Sequence, residues 1–136
     1  MDLDILNNYL KEGLEVLLKC QKELEKFTNT GNAKHFEELG LLLGRLSGTS
    51  SAVNLQDLSL LTKMAKDIGF KASQINEIDR LLAISALFSQ LLKFIDDHFK
   101  KLRKGEFSPP ESFKTLNAKF KAAGNALLPV KITEKM

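Results

Sequence analysis

The chain has 136 residues, 43% of them apolar and 27% charged, with a formal charge of +3, the profile of one globular domain long enough to bury a core. No apolar run approaches the ~20 residues that a membrane-spanning helix needs, and the opening Met-Asp-Leu-Asp lacks the basic region of a secretory signal. A single cysteine, Cys20, excludes an internal disulfide framework and fits a reducing cytoplasm.

The apolar positions Leu3, Leu6, Leu10, Leu14, Leu17, Leu24 and Phe27 recur at spacings of three and four, which predicts an amphipathic helix from about Asp2 to Phe27. Cys20 fills the gap in its buried face. Asn29-Thr30-Gly31-Asn32 then predicts a turn, with Asn32 as cap for a second helix over about Ala33–Ser51. That helix carries Leu39, Leu42, Leu43 and Leu46 as a core face, and Gly40, Gly44 and Gly48 at spacings of four. Each interior glycine costs a helix about 1 kcal/mol relative to alanine. Three of them together predict a surface kept bare for close approach. The alternative is an inward-facing stripe that lets two helices of the bundle pack tightly.

Asn54 and Asp57 predict the cap and acidic first turn of a third helix ending near Gly69, with Leu58, Leu61, Met64, Ala65 and Ile68 inward. The longest helix follows, from about Ile75 to Arg103, on a stripe that includes Leu81, Leu82, Phe88, Ile95, Phe99 and Leu102. Ser108-Pro109-Pro110-Glu111 has the form of a helix start, with serine as cap, proline in the first turn and glutamate completing a capping box. The last helix runs to about Leu128 with Phe113, Leu116, Phe120 and Leu127 inward, and Pro129 ends it. The predicted fold is all-α, an antiparallel four-helix bundle with one additional C-terminal helix. It forms a single domain over residues 1–128 and a flexible tail over 129–136.

The segment Gly44-Arg45-Leu46-Ser47-Gly48, followed by Thr49-Ser50-Ser51-Ala52-Val53, resembles the signature helix of histidine phosphotransfer (HPt) domains. These include the N-terminal phosphotransfer domain of chemotaxis-type histidine kinases, and their pattern is close to His-x-Leu-Lys-Gly. Leu46, Gly48 and the small residues after them match it. Leu55, Leu58, Leu61 and Met64 look like that family's next helix. Gly44 stands in place of the phosphorylated histidine, and Ser47 in place of the lysine that helps neutralise the phosphoryl group. Without an imidazole at that position no phosphoramidate can form there. The resemblance therefore implies a pseudo-HPt domain that binds a response-regulator receiver or a histidine-kinase domain through Gly40, Gly44, Arg45, Ser47, Gly48 and Ser51, without catalysis, in two-component or chemotaxis-like signalling.

Two alternatives remain open. The chain has two histidines, His35 and His98. His98 precedes Lys101 by the three residues that separate histidine from lysine in the family's pattern, so it is the candidate phosphoacceptor of an active relay protein. Its position at the edge of an apolar stripe predicts a structural role instead. The other alternative is a helical scaffold that self-associates through the glycine stripe. No phosphate-binding loop, dinucleotide fingerprint or paired cysteine motif is present, so neither an enzyme nor a cofactor is expected. His98, Asp96 and Asp97 lie too close together along a helix to converge on one metal ion.

Residues 1–92 carry ten basic and twelve acidic side chains, whereas residues 93–136 carry ten and five. The cluster Lys100, Lys101, Arg103 and Lys104 suits the negative end of a helix. Nucleic-acid binding, which needs a broader basic face, is not expected.

Overall fold

A computed structural model of the chain describes the backbone of residues 2–135 and the side chains of residues 2–127. It contains five helices: α1 (Leu3–Thr30), α2 (Lys34–Ala52), α3 (Gln56–Ala72), α4 (Ile78–Arg103) and α5 (Phe113–Lys135). No strand occurs among the described residues, and none of the described helices is long and apolar enough to cross a membrane.

Local chemistry sets the helix ends. The Asp2 carboxylate accepts the Asp4 amide at 2.8 Å and caps α1. At the other end Gly31 takes φ 69° and donates its N–H to Phe27 O at 2.7 Å, a left-handed closure that glycine adopts without a Cβ penalty. The helix thus runs on to Thr30 and, at 28 residues, exceeds the 26 of α4, reversing the expected order of length. Asn32 does cap α2 locally, its side chain accepting the Lys34 amide. Asn54 does not cap α3: it has φ 64°, and Leu55 precedes the helix without a side-chain cap.

Helix α5 starts later than its Ser-Pro-Pro-Glu signal predicts. A residue before proline is disfavoured in the helical region, so Pro110 keeps Pro109 out of the helix. The first turn forms only at Phe113, whose N–H reaches Pro110 O. The Ser108 hydroxyl instead accepts from Lys101 Nζ at 3.3 Å. Helix α5 also passes Pro129, where its end was expected. The expected flexible tail over 129–136 falls on residues whose side chains lie outside the described set.

Side-chain contacts fix how the helices pair. Phe27 meets Phe36 and Tyr9 meets Ser50, so α1 and α2 are antiparallel. Contacts between the α2 and α3 segments run in the same opposed sense, Ser47 to Ser59 and Gly40 to Lys66 and Phe70. Tyr9 and Gly13 against Phe99 set α1 against α4, and Phe94–Phe113 with Phe88–Phe120 set α4 against α5. Helix α5 also packs along α3, so it borders two helices.

The core is continuous across this arrangement. Phe27, Phe36, Phe88 and Phe120 form a chain of rings with centroids 4.7, 5.6 and 5.9 Å apart, linking α1, α2, α4 and α5. Burying each large apolar side chain stabilises the fold by roughly 1.5–3 kcal/mol. The buried face of α1 includes Tyr9, Gly13 and Val16, which turns Leu3, 68% exposed, away from the core. At Gly13 a Cβ would stand 2.7 Å from the Phe99 ring, so glycine makes room for that aromatic.

The tightest contact is between α2 and α3. A Cβ on Gly69 would lie 2.7 Å from Phe36 O and 3.1 Å from Gly40 Cα; one on Gly40 would lie 3.0 Å from Lys66 O. These are backbone atoms, which cannot rotate aside. Gly69→Ala is expected to destabilise the fold by about 1–3 kcal/mol, the cost of overpacking a filled interior, as a lower urea midpoint with an unchanged slope.

Candidate functional site

The six candidate partner-binding residues divide between two surroundings. Gly40 is buried in the α2–α3 crossing and is not available to a partner. Ser47 is also buried: its hydroxyl donates to Ser59 O at 2.8 Å, and Ser59 Oγ donates back to Ser47 O at 2.9 Å. This reciprocal pair continues the seam that Gly40 begins. The expectation that Gly40 and Ser47 belong to an open docking face is therefore corrected, because both fill the α2–α3 seam.

Gly44 lies at the border. A Cβ there would approach Lys66 Cδ to 2.8 Å, and a flexible lysine stem covers the position where the resemblance places histidine. Arg45, Gly48 and Ser51 are exposed. Around Gly48 nothing lies within 4 Å of the position a Cβ would take. What remains open is a patch made of Gly44, Arg45, Gly48 and Ser51, with the Lys66 side chain at its edge.

The split follows from helix geometry. At ~100° per residue, each step of four advances by about 40° around the axis. Gly48 is thus turned roughly 80° from Gly40, whereas Ser47 comes back to within about 20° of it. The leucines Leu39, Leu42, Leu43 and Leu46 are all buried, as expected.

Neither histidine stands on this patch. His35 Nδ1 pairs with Glu23 Oε2 at 2.9 Å and ties α2 to α1. Partial burial opposes ionisation of Glu23, but hydrogen bonds from His35 and Lys26 hold its carboxyl below the ordinary value. His98 is only 1% exposed, deeper than an edge position, with the start of α3 and the 104–112 link beside it on that flank of α4. The ring packs edge-on to Phe94; its nitrogens are shielded from solvent without a well-formed hydrogen bond among the described residues, although the Phe107 backbone lies close enough to favour the protonated ring. Leaving a buried polar group unpaired costs about 1–3 kcal/mol. Burial pushes the His98 pKa down, reinforced by Lys101 and opposed by the Phe107 backbone and Asp57.

The other groups with chemical potential are held inert. Cys20 is fully buried, and burial, with Glu23 and Glu38 nearby, pushes its thiol up to about 12. Burial likewise raises Tyr9 to about 12, against the effect of its 2.7 Å hydrogen bond with Ser50. In the basic cluster Lys100 pairs with Asp96 at 3.0 Å. No family model, no curated protein and no solved structure gives a significant match to the chain.

Two outcomes follow. Gly48→Ala removes a helix-interior glycine without meeting any atom, so it is expected to stabilise the protein by about 0.5–1 kcal/mol, read as a higher melting temperature. His98 binds its proton less readily folded than unfolded, so the unfolded chain takes up a proton first as pH falls through the ordinary value of 6.5. The stability due to neutral His98 is complete above that pH and declines below it, by at most about 1.4 kcal/mol per pH unit. Urea midpoints measured from neutral pH to about pH 5.5 should show this slope, and His98→Leu should flatten it.

Proposed function

We propose that this chain is a phosphotransfer-like interaction domain. In this reading α1 to α4 correspond to an antiparallel four-helix HPt-type bundle and α5 is an addition to it. The domain binds a response-regulator receiver or the helical domain of a histidine kinase, in the cytoplasm, and does not relay phosphate. The observation that carries the reading is the open ground at Gly48, where no atom stands within 4 Å of a Cβ position, on the helix whose sequence resembles the family's signature. An interior helix glycine with no packing neighbour weakens the fold for no structural return. Close approach of a partner backbone accounts for it.

The chemistry beside Gly48 indicates what such a partner presents. Arg45 is exposed, and the Lys66 stem lies across Gly44 where the family carries its reactive imidazole. The patch is therefore cationic and small-featured, suited to an acidic surface that sits close to the helix. Binding of this kind weakens as salt rises.

The two alternatives fit the geometry less well. A phosphoryl donor on another protein cannot reach the ring nitrogens of His98, which are fully buried, and His35 is held by Glu23. Self-association through the whole stripe is blocked at Gly40, which the crossing with α3 already occupies.

The test is binding of the full chain to receiver and histidine-kinase helical domains from its source organism. Arg45→Glu and Gly48→Phe should each weaken the interaction at least tenfold, about 1.4 kcal/mol, with helical circular dichroism unchanged. Undiminished binding by both variants contradicts the assignment of this face, as does acid-labile phosphate on His98.

A further inference from the structure

The link between α4 and α5 brings together an exposed serine and a cluster of cations that neither the fold nor the Gly48 patch uses. Among the described residues, the hydroxyl side chains outside helices are those of Ser73, Ser108 and Ser112. Ser73 is half-buried and donates its hydroxyl to Phe70 O at 2.6 Å. The Ser112 carbonyl accepts the Leu116 N–H, which ties that residue into the first turn of α5. Ser108 is exposed, and its hydroxyl contacts a lysine ammonium instead of capping the helix that follows.

The backbone around Ser108 is equally free. Among the described residues, no backbone–backbone hydrogen bond involves Phe107, Ser108 or Pro109. Extending this stretch therefore disrupts no helical or turn hydrogen bond of its own, and such segments open at little cost. A residue before proline is also biased towards extended backbone, the form in which a chain enters a protein-kinase cleft.

The charges suit a phosphoryl group. Lys101 Nζ stands 3.3 Å from Ser108 Oγ. Among the described residues Lys101 makes no ion pair, whereas its neighbour Lys100 is paired with Asp96. Arg103 and Lys104 follow at the end of α4, against the exposed carboxylates Glu106 and Glu111 of the link. A phosphoserine carries a charge of about −1.5 to −2 and three strong acceptor oxygens, which here would meet an ammonium already in contact.

We propose that Ser108 is a phosphorylation site for a serine kinase that accepts proline after its target, and that Lys101 holds the product. Ser108 Oγ attacks the γ-phosphorus of a nucleoside triphosphate, and the Oγ–P bond forms as the bond to the bridging β,γ-oxygen breaks. The hydroxyl proton passes to the kinase's base, and the nucleoside diphosphate leaves. Charge-assisted hydrogen bonds from Lys101 then tie the link to the last turn of α4. The site shares no residue with the Gly48 patch and does not depend on the function proposed for it.

The full chain, isolated from its source cells with phosphatase inhibitors and cut with trypsin, yields Gly105–Lys114, which holds both Ser108 and Ser112. Mass spectrometry is expected to find one phosphate on that peptide, placed on Ser108 by fragmentation. Recovery of the peptide without phosphate, or with phosphate on Ser112 alone, overturns the proposal. Purified chain treated with a proline-directed serine kinase and ATP should take up the same phosphate, and Ser108→Ala should take up none. Undiminished uptake by that variant also overturns it. In the phosphorylated chain the phosphorus NMR signal should titrate on the order of half a pH unit below the ordinary phosphoserine value near 6. Lys101→Gln should restore the ordinary value, and identical titration in the two chains contradicts the role given to Lys101.

Discussion

Where α2 crosses α3, the Gly40 and Gly69 backbones come so close that a methyl group on Gly69 would stand 3.1 Å from Gly40 Cα. Everything else on these two helices is placed by that contact. It sets their separation to a distance that only small or reciprocally bonded side chains can bridge. Ser47 and Ser59 do so by exchanging hydroxyl-to-carbonyl hydrogen bonds. It also fixes the rotation of α2, so that Leu39, Leu42, Leu43 and Leu46 enter the core beside Phe36, and Arg45 and Gly48 turn outward.

Close packing on one side of α2 and bare backbone on the other are thus consequences of a single rotation. Gly40 and Gly69 lower the cost of the crossing, since a seam built from larger residues would hold the helices farther apart. Gly48 has no such role. Lys66 links the two sides: its carbonyl lies against Gly40, and its stem covers Gly44. The same residue therefore belongs to the crossing through its backbone and to the exposed patch through its side chain.

Helix identity was legible from apolar spacing because five amphipathic segments with polar connections leave little choice of secondary structure. Boundaries were less so. Gly31 rather than Phe27 ends α1 because the stop depends on a left-handed residue, and Pro110 delays α5 through a restriction on its predecessor. The glycine helix was legible in part. Residues four apart appear as one stripe, yet the helical repeat carries Gly48 away from Gly40, and only the partner helix decides which of them it covers. Gly69 and Gly13 were missed as packing residues, although each lies within an apolar helical pattern. The depth of His98 was missed because its surroundings include the start of α3, an element distant in sequence. Phe94 and Leu91, one and two turns before it on the same side, were the available signal.

Amide NMR spectra of the full chain, recorded while a bound receiver or histidine-kinase helical domain is titrated in, test the division of α2 most directly. The account predicts that resonances of Gly44, Arg45, Gly48 and Ser51 shift or broaden, while those of Gly40, Gly69 and Phe36 stay in place. Changes centred on the Gly40–Gly69 crossing, with Gly48 unmoved, would contradict it.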